Sequence, residues 1–126
     1  MRSRRLLAVS AAFAVAAAGS LLPGGASAQP KSPAYVQVVE KEFSLTLSRL
    51  RVPHGTVILQ AINFGMDNHD LVVQSSAKGA KPIRFKVMAP SERVTKTLKL
   101  SAGRYTLYCS IPGHRQQGMV ATLTIK

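Results

Sequence analysis

An all-β fold, an antiparallel Greek-key β-sandwich of seven to eight strands, is what three features of the sequence predict. Beyond residue 34 no stretch carries the apolar period of a useful helix. Short runs alternate apolar and polar residues with a period of two, and clusters of Gly, Pro, Asn and Ser separate them. With 126 residues there is room for one small domain, whose single core leaves a modest stability margin.

The elements follow in order. Residues 36–40 and 43–50 alternate as strands, with Phe43, Leu45 and Leu47 expected on one face and Ser44, Thr46 and Ser48 on the other. Pro53, His54 and Gly55 form a turn that leaves His54 in solvent. Residues 56–63 (TVILQAIN) are too apolar on both sides for a water-facing edge strand. A loop over 64–68 leads to a short strand at 69–74, and 75–90 is irregular, rich in Lys, Gly, Ala and Pro. Met66 and Met88 read as packing residues. Strands at 93–100 and 104–109 flank a Ser101-Ala102-Gly103 turn, and the alternation turns Tyr105, Leu107 and Cys109 inward. After a loop over 110–118, the last strand places Met119, Ala121, Leu123 and Ile125 on one side.

The N-terminus reads as a secretory signal, residues 1–28: a cationic start with Arg2, Arg4 and Arg5, an apolar run over 6–22, and a small-x-small pattern ending at Ala28. An uncleaved anchor is the competing reading, because a run of about 17 residues is at the lower limit for a membrane span; the Pro23-Gly24-Gly25 break favours cleavage. A weak twin-arginine resemblance surrounds Arg4-Arg5. Cleavage leaves 98 residues: a loose arm at 29–34 with two prolines, then a domain at 35–126. Without Arg2, Arg4 and Arg5 there remain 14 basic residues against 5 acidic ones, a side-chain charge of +9. No nucleic-acid motif accompanies this charge, and the export signal argues against such a partner. Acidic proteins or an anionic membrane surface suit it better.

One cysteine excludes an internal disulfide, a Cys-rich zinc module and a four-thiolate iron-sulfur cluster. Three histidines leave enough imidazole for one well-furnished transition-metal site. The chemistry is concentrated in Cys109-Ser-Ile-Pro-Gly-His114-Arg-Gln-Gln-Gly-Met119, where three soft or borderline donors are spaced five and five in one inter-strand loop. His69, at the start of an earlier strand, adds the second imidazole of a trigonal thiolate and two-imidazole set, with Met119 as a long axial thioether. That set holds copper in both oxidation states with little rearrangement. A lone Cys is ordinarily a buried small hydrophobe, but an unpaired thiol in an oxidising compartment is a liability unless something occupies it.

The segment Gly103-x-Tyr-x-x-Tyr-Cys-Ser-Ile-Pro-Gly-His-x-x-x-Gly-Met119, with Asn68-His69-Asp70-Leu71-Val72-Val73 upstream, resembles a cupredoxin. The Cys-x4-His-x4-Met spacing is most similar to the rusticyanin and sulfocyanin type and departs from plastocyanin, where two residues separate Cys and His. The resemblance implies His69, Cys109 and His114 as equatorial ligands of one type 1 copper, Met119 as the axial ligand, and the Greek-key sandwich. Many cupredoxins carry Asn after the first His ligand; this chain has Asp70, which when ionised can accept hydrogen bonds from the loop or Ser110 but cannot donate, the alternative being that it points to solvent.

The expected function is a mobile, monomeric one-electron carrier, periplasmic or on the extracellular face of the membrane, its copper cycling between Cu(II) and Cu(I). An enzyme of the multicopper oxidase or copper nitrite reductase kind needs further histidine-ligated copper, and only His54 is left over. A copper chaperone or storage protein would use the same ligands but favours open sites, whereas Leu71, Ile111, Pro112 and Val120 are expected to cover this one. Acidic redox proteins are the expected partners, drawn by Arg115 and by Lys78, Lys81, Arg84, Lys86, Arg93, Lys96, Lys99 and Arg104.

Overall fold

The computed structural model describes residues 24–25 and 31–126; the signal read at 1–28, Gly24 and Gly25 apart, lies outside the described residues. The described residues hold no helix. They form nine strands: β1 (Ala34–Lys41), β2 (Ser44–Leu47), β3 (Arg51–Val52), β4 (Gly55–Asn63), β5 (Val72–Ser75), β6 (Ile83–Arg84), β7 (Arg93–Leu100), β8 (Gly103–Tyr108) and β9 (Val120–Ile125). Two sheets face each other, a four-stranded one in the order β2-β1-β4-β7 and a five-stranded one in the order β3-β9-β8-β5-β6.

The period of two sets the layers. On β1, Ala34, Val36 and Val38 are buried and point between the sheets, as do Val57, Leu59 and Ala61 on β4. They meet Leu107 on β8 and Leu123 and Ile125 on β9, with Leu71 just before β5 and Val73 on it. As its composition predicts, β4 is interior, between β1 and β7. The edge strand β7 exposes Arg93, Thr95, Thr97 and Lys99, and such charges discourage pairing with another chain.

The sandwich is mixed rather than wholly antiparallel. β1 runs parallel to β4, with Val38 opposite Ala61 and Glu40 opposite Asn63, and β3 runs parallel to β9. Between β2 and β4 the chain crosses to the second sheet to form β3 and then returns, and this crossover is what lets β4 lie parallel to β1. The two-residue β3 and β6 are too short to show a period in sequence and raise the strand count to nine.

Three local expectations are corrected. β2 is confined to Ser44–Leu47, and Phe43 sits in the preceding turn, half-buried, rather than on the core face with Leu45 and Leu47. Met66 is 85% exposed and packs no core, whereas Met88 is fully buried as expected. His69 precedes β5 instead of opening it. It is held by a two-way backbone bridge in which His69 N–H donates to Met88 O at 3.1 Å and Met88 N–H donates to His69 O at 2.7 Å.

Candidate metal centre

One end of the sandwich gathers the donor residues. β8 delivers Cys109 just past its last residue, and β9 begins just after Met119. The residues between them form a loop closed by its own backbone. Cys109 N–H donates to Met119 O and Met119 N–H donates to His114 O, each at 3.1 Å. Cys109 and Met119 are fully buried and His114 is half-buried. Gly118, at φ +127°, is required here: a Cβ would strain the backbone and stand 2.7 Å from Phe43 O.

His69 reaches this loop from the segment just before β5, whose first residue, Val72, is paired with Tyr108 at the end of β8. Its Nδ1 lies 3.1 Å from His114 Nδ1 and 4.0 Å from Cys109 Sγ, and Cys109 Sγ lies 3.6 Å from His114 Nδ1. All three donor atoms fall within 4.8 Å of one another. Nitrogen and sulfur donors about 2.0 and 2.3 Å from one ion, at trigonal angles, stand roughly 3.5–3.8 Å apart, close to the triangle in place here. The donor set fits a single soft or borderline ion. Met119 adjoins it through the backbone bonds that join it to Cys109 and His114. His54, the third histidine, lies apart, its Nδ1 2.7 Å from Lys126 O.

Burial pushes the Cys109 thiol above its ordinary pKa, opposed by hydrogen bonds from the backbone of Asp70 and Ile111. The sulfur is therefore a thiol until a cation replaces its proton. Asp70, half-buried, takes the loop side as its acceptor-only chemistry allows: Ser110 donates its backbone N–H to Oδ1 at 2.6 Å and its hydroxyl to Oδ2 at 2.5 Å. Phe43 meets the His114 ring edge-on, with centroids 5.1 Å apart. The apolar cover expected over the site is uneven: Leu71 is buried and Ile111 half-buried, whereas Pro112 and the 41%-exposed Val120 form a rim.

Glu42, in the turn between β1 and β2, was not read from sequence as part of the site. Its Oε1 lies 2.8 Å from His69 Nε2 and accepts the backbone N–H groups of Met66 and Asp67, each at 2.8 Å. Those two backbone donors, chiefly Asp67 and then Met66, hold the carboxyl at about 2, below the ordinary 4.5, with a smaller share from His69. An ionised carboxylate can only accept, so His69 keeps its proton on Nε2 and turns the Nδ1 lone pair toward Cys109 and His114. A signal was available. Of the five acidic residues in the chain, Glu40, Glu42, Asp67 and Asp70 fall in the segments that meet at this end.

A protein-family model described as copper binding proteins, plastocyanin/azurin family, matches residues 31–126. A search of curated protein sequences gives no significant match. Among solved structures, reduced auracyanin from Roseiflexus castenholzii is 18% identical, with a TM-score of 0.61, and the match covers 76% of this chain and 99% of auracyanin. Auracyanin A from Chloroflexus aurantiacus, a "blue" copper protein, is 16% identical, with a TM-score of 0.61 and coverage of 75% and 100%. Rusticyanin from Thiobacillus ferrooxidans is 22% identical, with a TM-score of 0.55 and coverage of 75% and 79%. These structures share the sandwich with this chain.

Proposed function

Because the chain belongs to the plastocyanin/azurin family of copper-binding proteins, we propose that it is an extracytoplasmic one-electron carrier whose single type 1 copper is held by His69, Cys109, His114 and Met119. The observation that carries this reading is the convergence of His69 Nδ1, Cys109 Sγ and His114 Nδ1 within 4.8 Å of one another. Bound there, copper supplies a one-electron couple. The protein contributes a fixed set of donors. Cys109 and Met119 are buried, their loop is closed by backbone hydrogen bonds, and His69 is oriented by Glu42. A frame with so little freedom keeps rearrangement small when the charge of the site changes.

His114 is the donor nearest solvent and is the proposed route for the electron, within the rim of Ile111, Pro112 and Val120. Arg115 follows it directly, its guanidinium 4.2 Å from the centroid of the Tyr108 ring. The partner is an acidic redox protein, met by this monomer through long-range attraction. Export rests on the leader pattern at residues 1–28. Among the described residues no helix is long and apolar enough to cross a membrane. A catalytic role is disfavoured because His54, the remaining imidazole, is engaged at Lys126 and does not join the group of His69, Cys109 and His114.

Retention separates a carrier from a copper chaperone or store. The mature protein, loaded with one copper, is cycled repeatedly between oxidised and reduced forms in the presence of a competing chelator. A carrier keeps its copper and returns the same spectrum after each cycle. Loss of copper to the chelator on reduction would contradict the reading and favour exchange.

A further inference from the structure

Glu42 lies outside the Cys109–Met119 loop, yet its carboxylate reaches the farther nitrogen of His69 across 27 positions of sequence. Oε1 collects three donors, His69 Nε2 and the N–H groups of Met66 and Asp67, all at 2.8 Å. The Glu42 side chain is 24% exposed and that of His69 is fully buried, so the contact is shielded on the histidine side. Gly65 makes the arrangement possible, because a Cβ at that position would collide with Glu42 Oε1. The loop after β4 closes on the carboxylate only when residue 65 has no side chain. Asn63 braces the same loop, its Nδ2 donating to Asp67 O at 2.7 Å and Met88 O at 2.9 Å while its Oδ1 accepts Gly65 N–H at 2.8 Å. Met88 in turn is bridged to His69. The acceptor and the histidine are thus fixed to one frame.

We propose that Glu42 is a positioning residue of the copper site: its carboxylate fixes the His69 ring with Nδ1 toward the metal and, by drawing on the Nε2 proton, strengthens His69 as a donor and lowers the reduction potential. The inference rests on the reading of His69 as a copper ligand. A more basic imidazole, beside an added negative charge, favours Cu(II) over Cu(I). Losing the carboxylate therefore raises the potential without removing a ligand.

The test uses copper-loaded Glu42→Gln and Gly65→Ala, with Asp67→Asn as a control that removes a nearby charge on a side chain not hydrogen-bonded to His69. Visible spectra, copper content and potential are measured for each. Glu42→Gln retains one copper and the blue band, while affinity for Cu(II) relative to Cu(I) falls about tenfold, ~59 mV for a one-electron couple. Gly65→Ala, which leaves Glu42 in the chain but pushes it from His69, shifts the potential in the same direction, and Asp67→Asn shifts it by less than either. Potentials in Glu42→Gln and Gly65→Ala that match the wild type, or move no further than Asp67→Asn, overturn the proposal. If Glu42→Gln fails to fold or load, Gly65→Ala decides alone. His69→Gly separates the two levels: a full wild-type band in that variant removes His69 from the ligand set and the proposal with it. A band lost in His69→Gly, beside unshifted Glu42→Gln and Gly65→Ala, overturns the role of Glu42 alone.

Discussion

Asp70 and Ser110 are joined twice, the Ser110 backbone N–H reaching one oxygen of the Asp70 carboxylate at 2.6 Å and its hydroxyl the other at 2.5 Å. The pair pins the residue after His69 to the residue after Cys109, so the segments before β5 and after β8 keep a common frame without depending on a cation. Asp70→Ala removes both bonds and is expected to cost about 1–2 kcal/mol in the metal-free protein. Asp70→Asn, which still accepts at its oxygen and can donate to the hydroxyl, loses less. Urea unfolding of the two variants checks the order, and equal losses would contradict it.

Glu40 gives a pH dependence of stability. It points between the sheets, is fully buried, and neither carboxyl oxygen has a hydrogen-bond partner. Burial, and secondarily the charge of Asp70, raises its pKa from the ordinary 4.5 to about 8. The folded protein keeps a proton that the unfolded chain releases above pH 4.5, so this contribution is full below 4.5 and is lost as pH rises through about 8. The loss across that window is on the order of a few kcal/mol. Glu40→Leu should flatten this slope and raise the melting temperature of the metal-free protein at pH 8 relative to wild type. A parallel decline in both proteins would contradict the assignment.

Glu42 acts with the opposite sign. Its pKa is held at about 2, so its contribution is present above pH 4.5 and disappears as pH falls through about 2. Acid titration of wild type and Glu42→Gln, followed by circular dichroism, should show a shallower loss in the variant below pH 4.5.

Met119→Leu is expected to retain one copper and the blue colour while raising the potential, because a weak thioether donor stabilises Cu(II) more than Cu(I). Voltammetry of the loaded variant checks it. Complete loss of copper would make Met119 a structural or equatorial residue, and an unchanged potential would remove it from the metal.

Electron transfer to an acidic redox protein should slow as salt rises, since the screening length shortens to about 10 Å at 0.1 M ionic strength. Arg115→Glu should flatten that dependence, because it reverses a charge beside the proposed electron route. Stopped-flow rates that are level or climb with salt would leave recognition to the apolar rim of Ile111, Pro112 and Val120.

The convergence of His69, Cys109 and His114 was legible in sequence because Cys109 and His114 share one short loop with Met119, and His69 follows an unusual run of turn residues. The inward face of Cys109 followed from the alternation of Tyr105 and Leu107. Glu42 was missed, with only the grouping of acidic residues to hint at it, since its contact joins positions 27 apart and the local pattern shows only a strand ending. Phe43 was assigned to the wrong surroundings for a related reason: alternation read through a turn carries a residue onto the core face, whereas the turn directs it to His114. Nor does a period of two reveal direction, so the parallel partnership of β1 and β4 had to come from the crossover through β3.

In the proposed site Cys109, with His69 and His114, holds copper as a thiolate. Adding one equivalent of Cu(II) to the purified mature protein and recording its visible spectrum tests this most directly. The wild type is expected to give an intense sulfur-to-copper charge-transfer band, and Cys109→Ser to lose it while its sandwich stays folded on the apolar core. A wild-type protein that binds Cu(II) without that band, or a Cys109→Ser variant that keeps it, would rule out Cys109 as the thiolate ligand.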